Sequence, residues 1–204
     1  MTDTQDYFSL AHAFTALWEG GVSENPVDKG GLTAYGASIK FVEGIAATVA
    51  GQDFLEHIGV RLPVTRQSMR DVTQEQVRAM LRREFWDRLR LDDYPFPVSL
   101  VLYDAAVNCG CKRSVMFAQR GYNACLEANG ERLTEDGKAG PLTCAALCSH
   151  VTPAVLTAIL DARQAFYNEL AIHESSQKAF IQGWTNRVNS LRQYVERVLN
   201  GVTT

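Results

Sequence analysis

Glu19 and Asp28 stand nine residues apart in the stretch Trp18-Glu19-Gly20-Gly21-Val22-Ser23-Glu24-Asn25-Pro26-Val27-Asp28-Lys29-Gly30-Gly31-Leu32-Thr33-Ala34-Tyr35-Gly36, a glycine-rich reversal that follows an apolar run. Two carboxyl groups opposed across a cleft, one protonated and one ionised, are what cleavage of a glycosidic bond requires. Glu19 sits where a helix C-terminus concentrates partial negative charge, beside Trp18, and both influences favour its proton-donating form. Asp28 precedes the flexible pair Gly30-Gly31 in a polar loop, so it stays ionised and can be turned to face Glu19. Thr33 lies on the returning arm, where its hydroxyl can hold an attacking water, and Ser23 and Glu24 are alternatives on the outgoing arm. A plain helix end followed by a turn explains the same residues, and Glu-Gly-Gly alone is a weak signal.

The elements that must position these groups are read from periodicity. Leu10, Phe14, Leu17 and Trp18 recur at helical spacing, which predicts a first helix over about 6–19 closed by Gly20-Gly21. The next 17 residues hold five glycines and a proline and suit a small twisted hairpin or irregular loop. Residues 37–49 return to helical composition. Thr73-Gln74-Glu75-Gln76 has the form of a capping box, opening a helix whose Val77, Met80, Leu81, Phe85 and Leu89 share one face to near Arg90. Pro95 and Pro97 break the chain, and 98–108 is almost wholly apolar, the pattern of a central buried helix. Further helices are expected at about 113–128, 141–149, 153–173 with Thr152 as cap, and 177–199. The loop Gly130 to Gly140 reads as a connector between lobes. The fold class is therefore α+β, predominantly helical, with one small β-hairpin region near the N-terminus.

With 204 residues, 46% of them apolar, the chain can bury a real core. No run approaches the roughly 20 apolar residues of a membrane span, and Met1 to Asp6 lack the basic start of a signal peptide, so the expectation is a protein held in the cytoplasm until another releases it. A net charge of -3 argues against a dedicated nucleic-acid binder. From Gln177 onward Lys178, Arg187, Arg192 and Arg197 face only Glu196, a local +3 that reads as a solvated helix face or as a surface for an anionic polymer. The cysteines Cys109, Cys111, Cys125, Cys144 and Cys148 are an odd set, expected reduced and mostly buried as small apolar residues. Cys144 and Cys148 can meet on one helical face, but no second cluster accompanies them, and no metal site is assigned.

The whole segment resembles the signature of glycoside hydrolase family 108, the phage and bacterial N-acetylmuramidases of lysozyme-like fold, in Glu19-Gly20-Gly21, Ser23, Pro26, Asp28, Gly30-Gly31, Thr33, Tyr35 and Gly36. The resemblance continues in Tyr103-Asp104-Ala105-Ala106-Val107-Asn108-Cys109-Gly110, Ala118-Gln119-Arg120, Asp136-Gly137-Lys138-Ala139-Gly140-Pro141-Leu142-Thr143 and Gly183-Trp184-Thr185-Asn186-Arg187-Val188. It implies that Glu19 is the catalytic acid and that the second half, about 95–191, binds peptidoglycan. The spacing of Glu19, Asp28 and Thr33 is also similar to that of phage-type lysozymes, in which an Asp and a Thr assist the Glu. The sequence departs from the family pattern at Leu32 and Ala34, where polar residues are common, and at Ala37-Ser38. Lost side chains there would alter saccharide contacts. Residues 46–70 form a longer stretch than expected and read as an insertion that shapes or covers the cleft.

Tyr35 offers a face for a pyranose or packs in the core. Asn108 directs its amide at an N-acetyl group or caps a helix, and Ser23 is a further sugar contact. Trp184 reads as core and Arg187 as surface. The resulting expectation is a catalytic lobe over 1–92 and a helical, peptidoglycan-binding lobe over 93–204, packed as one lysozyme-like domain. It is expected to act as a monomeric muramidase on the β-1,4 bond between N-acetylmuramic acid and N-acetylglucosamine, without metal or organic cofactor. The role implied is a phage endolysin stored in the host cytoplasm until a holin-type pore admits it to the wall, with no stable membrane insertion of its own. A lytic transglycosylase and a non-catalytic wall-binding or virion module are the rival readings. Direct attack by water inverts the anomeric centre and calls for carboxyl groups roughly 6.5 to 9.5 Å apart, whereas a separation near 5 Å marks a covalent intermediate.

Overall fold

The computed structural model describes residues 6–20, 23–24, 32–128, 130–149 and 151–201, with backbone alone for residues 23 and 24. The architecture is α+β and mainly helical, and the chain divides into two units, His12–Glu84 and a second formed by Met1–Ala11 with Phe85–Thr204.

The first unit holds the described strands. The first helix, α1 (Tyr7–Ala16), ends three residues earlier than its apolar spacing suggests. The amides of Leu17, Trp18 and Glu19 bond instead to the carbonyls three residues back, at 3.3, 3.0 and 3.3 Å, a tightening that is common at helix ends. Leu17 consequently points outward and is 82% exposed rather than part of the apolar stripe.

Beyond it run β1 (Ser23–Glu24), β2 (Leu32–Ala34) and β3 (Ala37–Ser38), an antiparallel sheet in that order with Ser23 opposite Thr33, Thr33 opposite Ser38 and Ala34 opposite Ala37. Alternation along β2 buries Leu32 and Ala34 and leaves Thr33 between them half-exposed. Leu32 and Ala34, two of the departures from the family pattern, are therefore core positions.

Four helices follow, each opened by a hydroxyl that accepts an orphan amide. Ser38 caps α2 (Ile39–Ala46) and Thr48 caps α3 (Val49–His57), which splits the single helix expected over 37–49. Thr65 and Ser68 form a capping box on α4 (Arg66–Arg70), which packs against β2. Thr73 and Gln76 form the expected box on α5 (Gln74–Leu81), with the Gln76 amide 3.2 Å from Thr73 Oγ1 and the Thr73 amide 2.9 Å from Gln76 Oε1. From α5 the chain continues through a π-helical turn, Arg82–Asp87.

The second unit is built on α6 (Val98–Cys109), in which nine successive residues from Val98 to Ala106 are buried. Phe8, Trp86 and Tyr103 meet edge to face in its core, with ring centroids 5.5 to 5.7 Å apart. Around it lie α7 (Cys111–Ala124), α8 (Pro141–Ser149), α9 (Pro153–His173), a 3₁₀ segment (Ser175–Phe180) and α10 (Ile181–Leu199). The loop 130–140 lies inside this unit and is not a connector between units. Gln119 holds it, donating to Asp136 Oδ1 at 3.1 Å and to the Lys138 carbonyl at 3.2 Å, while accepting from the Gly137 amide at 2.9 Å.

Candidate active site

The side chains at positions 12, 15, 16 and 19 are spaced to fall on one face of α1 and its closing turn. That face forms one wall of a cleft of about 190 Å³, lined by His12, Thr15, Ala16, Glu19 and Gly20, with Tyr35 from the β2–β3 turn and Gln74, Val77 and Leu81 from α5. Every lining residue belongs to the His12–Glu84 unit. Among the described residues that line the cleft, Glu19 is the single carboxylate, and its neighbours combine donors and acceptors with the apolar side chains of Ala16, Val77 and Leu81, a composition typical of a small-ligand site. Burial pushes the His12 imidazole below its ordinary 6.5, the Arg78 charge adds to that, and Glu75 opposes it. Near neutral pH His12 therefore presents an uncharged ring to the cleft.

Of the residues singled out by sequence, the structure brings Glu19 and Tyr35 together in this cleft. Thr33 lies on β2 two residues before Tyr35 and is not among the lining residues. Ser23 pairs with Thr33 across the sheet through its backbone, and Asp28 lies outside the described residues. Asn108 belongs to the other unit, where its Oδ1 accepts the Tyr167 hydroxyl at 2.5 Å and sits 3.3 Å from Cys109 Sγ. Sequence reasoning passed over His12, Thr15 and Gln74. The first two are separated from Glu19 by helical intervals and could have been found from that spacing, whereas Gln74 comes from an element 55 residues away in sequence. The stretch 46–70 holds α3 and α4 and contributes no lining residue to the cleft.

Two expectations about charged and thiol residues are corrected. Arg187 is a buried partner of Asp104 rather than a surface cation, Arg192 pairs with Asp161 at 2.5 Å, and Arg197 lies over the Tyr194 ring, so the charge on α10 is largely spent within the unit. None of the five free cysteines is buried: Cys109, Cys111 and Cys125 fall at helix ends, and Cys144 and Cys148 of α8 border an open pocket with Arg90, Asp93 and Tyr94. Cys144 and Cys148 do meet on α8, with sulfurs 3.9 Å apart.

Residues 12–110 match the family model of glycosyl hydrolase 108, and residues 114–189 match that of a predicted peptidoglycan domain. The chain carries a glycosyl hydrolase 108 domain followed by a predicted peptidoglycan domain. The glycosyl hydrolase 108 match begins at His12, the first residue of the cleft, and runs past the last turn of α6. Among solved structures the chain is similar to Brucella abortus SagA, with 24% identity, a TM-score of 0.69 and 92% of each chain covered. That likeness is one of fold, and the fold is the lysozyme-like, mainly helical α+β arrangement expected from sequence. No curated protein matches the chain. The two domains together make the protein a peptidoglycan hydrolase of the glycosidase class. Among the described residues no helix is long and apolar enough to cross a membrane.

Proposed function

We propose that the protein is an N-acetylmuramidase that hydrolyses the β-1,4 bond between N-acetylmuramic acid and N-acetylglucosamine, with Glu19 as general acid. The observation that carries this reading is the place of Glu19 on the wall of a cleft whose other polar side chains are those of His12, Thr15, Gln74 and Tyr35, with the His12 imidazole pushed below its ordinary value by burial. Glu19 gives its proton to the departing glycosidic oxygen, so the leaving group departs as a neutral alcohol. Asp28 and Thr33 orient or activate the attacking water, or offset the positive charge that grows on the sugar ring. Tyr35 and Ser23 are the proposed sugar contacts. Proton transfer and electrostatic stabilisation suffice for this chemistry, so the reading calls for no metal or organic cofactor.

The decisive variant is Glu19→Gln, which keeps shape and removes the proton donor. Purified parent protein should clear a cell-wall suspension at least about 10²-fold faster than the variant. Equal rates would end the catalytic reading in favour of a wall-binding module. Because Glu19 is the single carboxylate among the described lining residues, a lytic transglycosylase is the second reading, with the muramic 6-hydroxyl replacing water. Mass spectrometry of the digest separates the two, since hydrolysis leaves reducing ends and the rival leaves 1,6-anhydro ends. The biological role we propose is that of an endolysin, a monomer kept in the host cytoplasm until a separate pore releases it to the wall. Fractionation of cells before lysis tests that location.

A further inference from the structure

Glu19 is held from behind by a residue that has no side chain. β2 and β3 are joined by a two-residue turn, with Ala34 opposite Ala37, and both turn residues have positive φ, Tyr35 at 50° and Gly36 at 91°. Positive φ at both central positions marks the tight hairpin turn whose twist matches that of the flanking strands. For a residue as bulky as tyrosine this conformation is rare and persists only where the surroundings enforce it. Here the turn closes against the end of α1. A Cβ placed on Gly36 would stand 2.9 Å from Glu19 Cγ, 3.0 Å from Glu19 Cβ and 3.0 Å from Glu19 Oε2.

The pattern of those three distances matters. A contact with Oε2 alone could be relieved by rotating the end of a flexible side chain. Contacts that reach back to Cγ and Cβ cannot, because Cβ moves only with the backbone and Cγ only with the first side-chain torsion. A side chain at position 36 would therefore occupy the space that Glu19 now fills, while the same turn places Tyr35 on the cleft wall beside it. Any L-residue at position 36 must push Glu19 off this position or open the hairpin.

We infer that Gly36 is a positioning residue, acting through Glu19: its lack of a side chain leaves the room in which the carboxyl group stands when it faces the glycosidic oxygen. This rests on the reading of Glu19 as the acid. A shift of about 1 Å at a reacting group costs on the order of 10²-fold in rate. Gly36→Ala should accordingly lower kcat on a soluble peptidoglycan fragment by about 10²-fold while KM stays within about twofold, because the sugar contacts remain.

Positive φ alone penalises alanine, so the control is Gly110→Ala, at φ 86° with open space around it. That variant should lose thermal stability and keep its kcat. The second arm reads the contact without activity: the drop in Tm caused by Gly36→Ala should be smaller in a Glu19→Ala background, where Cγ and Oε2 are gone, and undiminished in Glu19→Gln, where they are not. Should Gly36→Ala fail to fold, a folded Glu19→Ala/Gly36→Ala double variant supports the inference and an unfolded one overturns it. A Gly36→Ala enzyme with parental kcat, or equal Tm losses in the parent and Glu19→Ala backgrounds, also overturns it. An active Glu19→Gln enzyme instead refutes the acid assignment and leaves the Tm coupling to report on the contact itself.

Discussion

Arg187 of α10 clasps Asp104 of α6, with Nη2 2.8 Å from Oδ1 and Nε 3.1 Å from each carboxylate oxygen. Arg163 of α9 takes Oδ2 at 2.6 Å, and all three side chains are buried. The result is a junction that ties together three helices far apart in sequence. Burial by itself would push the Asp104 carboxyl up, but the charges of Arg163 and Arg187 and their hydrogen bonds outweigh it and hold the carboxyl down at about 2, from an ordinary 3.8.

Removing the charge of Asp104 leaves two guanidinium groups buried without their carboxylate. Asp104→Asn should therefore cost about 3–5 kcal/mol near neutral pH. The sign with pH follows from the lowered value: the unfolded chain takes up the proton first, so this contribution is complete above 3.8 and is lost as pH falls through about 2. Urea unfolding near neutral pH and at about pH 3 checks both parts. A variant as stable as the parent, or one that retains the same fall in stability between those two conditions, would contradict this account.

Gly121 is where α7 comes closest to α9. A Cβ there would lie 2.4 Å from the Ile159 amide nitrogen and 2.6 Å from its Cα, and backbone atoms cannot step aside as a side chain can. Alanine gains about 1 kcal/mol over glycine in helix propensity. Overpacking of a close helix contact costs about 1–3 kcal/mol or more, and the clash with backbone places this site at the upper end. Gly121→Ala should thus lower stability by at least about 1 kcal/mol, read as a fall in Tm; a rise would mean that propensity wins.

Local signals were legible and distant pairings were not. Thr152 with Pro153 marks the start of α9, and the Thr73–Gln76 box marks the start of α5, because a cap is made by residues three apart. The almost wholly apolar run over 98–108 identified α6 for the same reason. Arg187 looked like a surface cation because nothing near it in sequence announces Asp104, 83 residues earlier. The end of α1 was missed because Leu17 continues the apolar spacing after the helix has tightened into a turn. At the cleft, Glu19 and Tyr35 were found through their motif. The contribution of α5 depends on tertiary packing, which no spacing within the motif encodes.

His12 offers a test of the cleft that needs no substrate. Burial is the largest influence on its imidazole and lowers it from 6.5, the Arg78 charge acts in the same direction, and Glu75 offsets part of both. The folded protein therefore binds fewer protons at this site than the unfolded chain once pH drops toward 6.5, and stability must fall with pH through that window. Above 6.5 both states carry a neutral ring and the site adds no slope. In His12→Gln the ring is gone, so the curve of Tm against pH should be flatter than that of the parent between about 7.5 and 5.5, whatever the variant's absolute stability. Carboxylates titrate lower and cancel in the difference between the two curves. Parallel curves would show that the imidazole titrates alike in the folded and unfolded protein and would contradict its burial in the cleft wall.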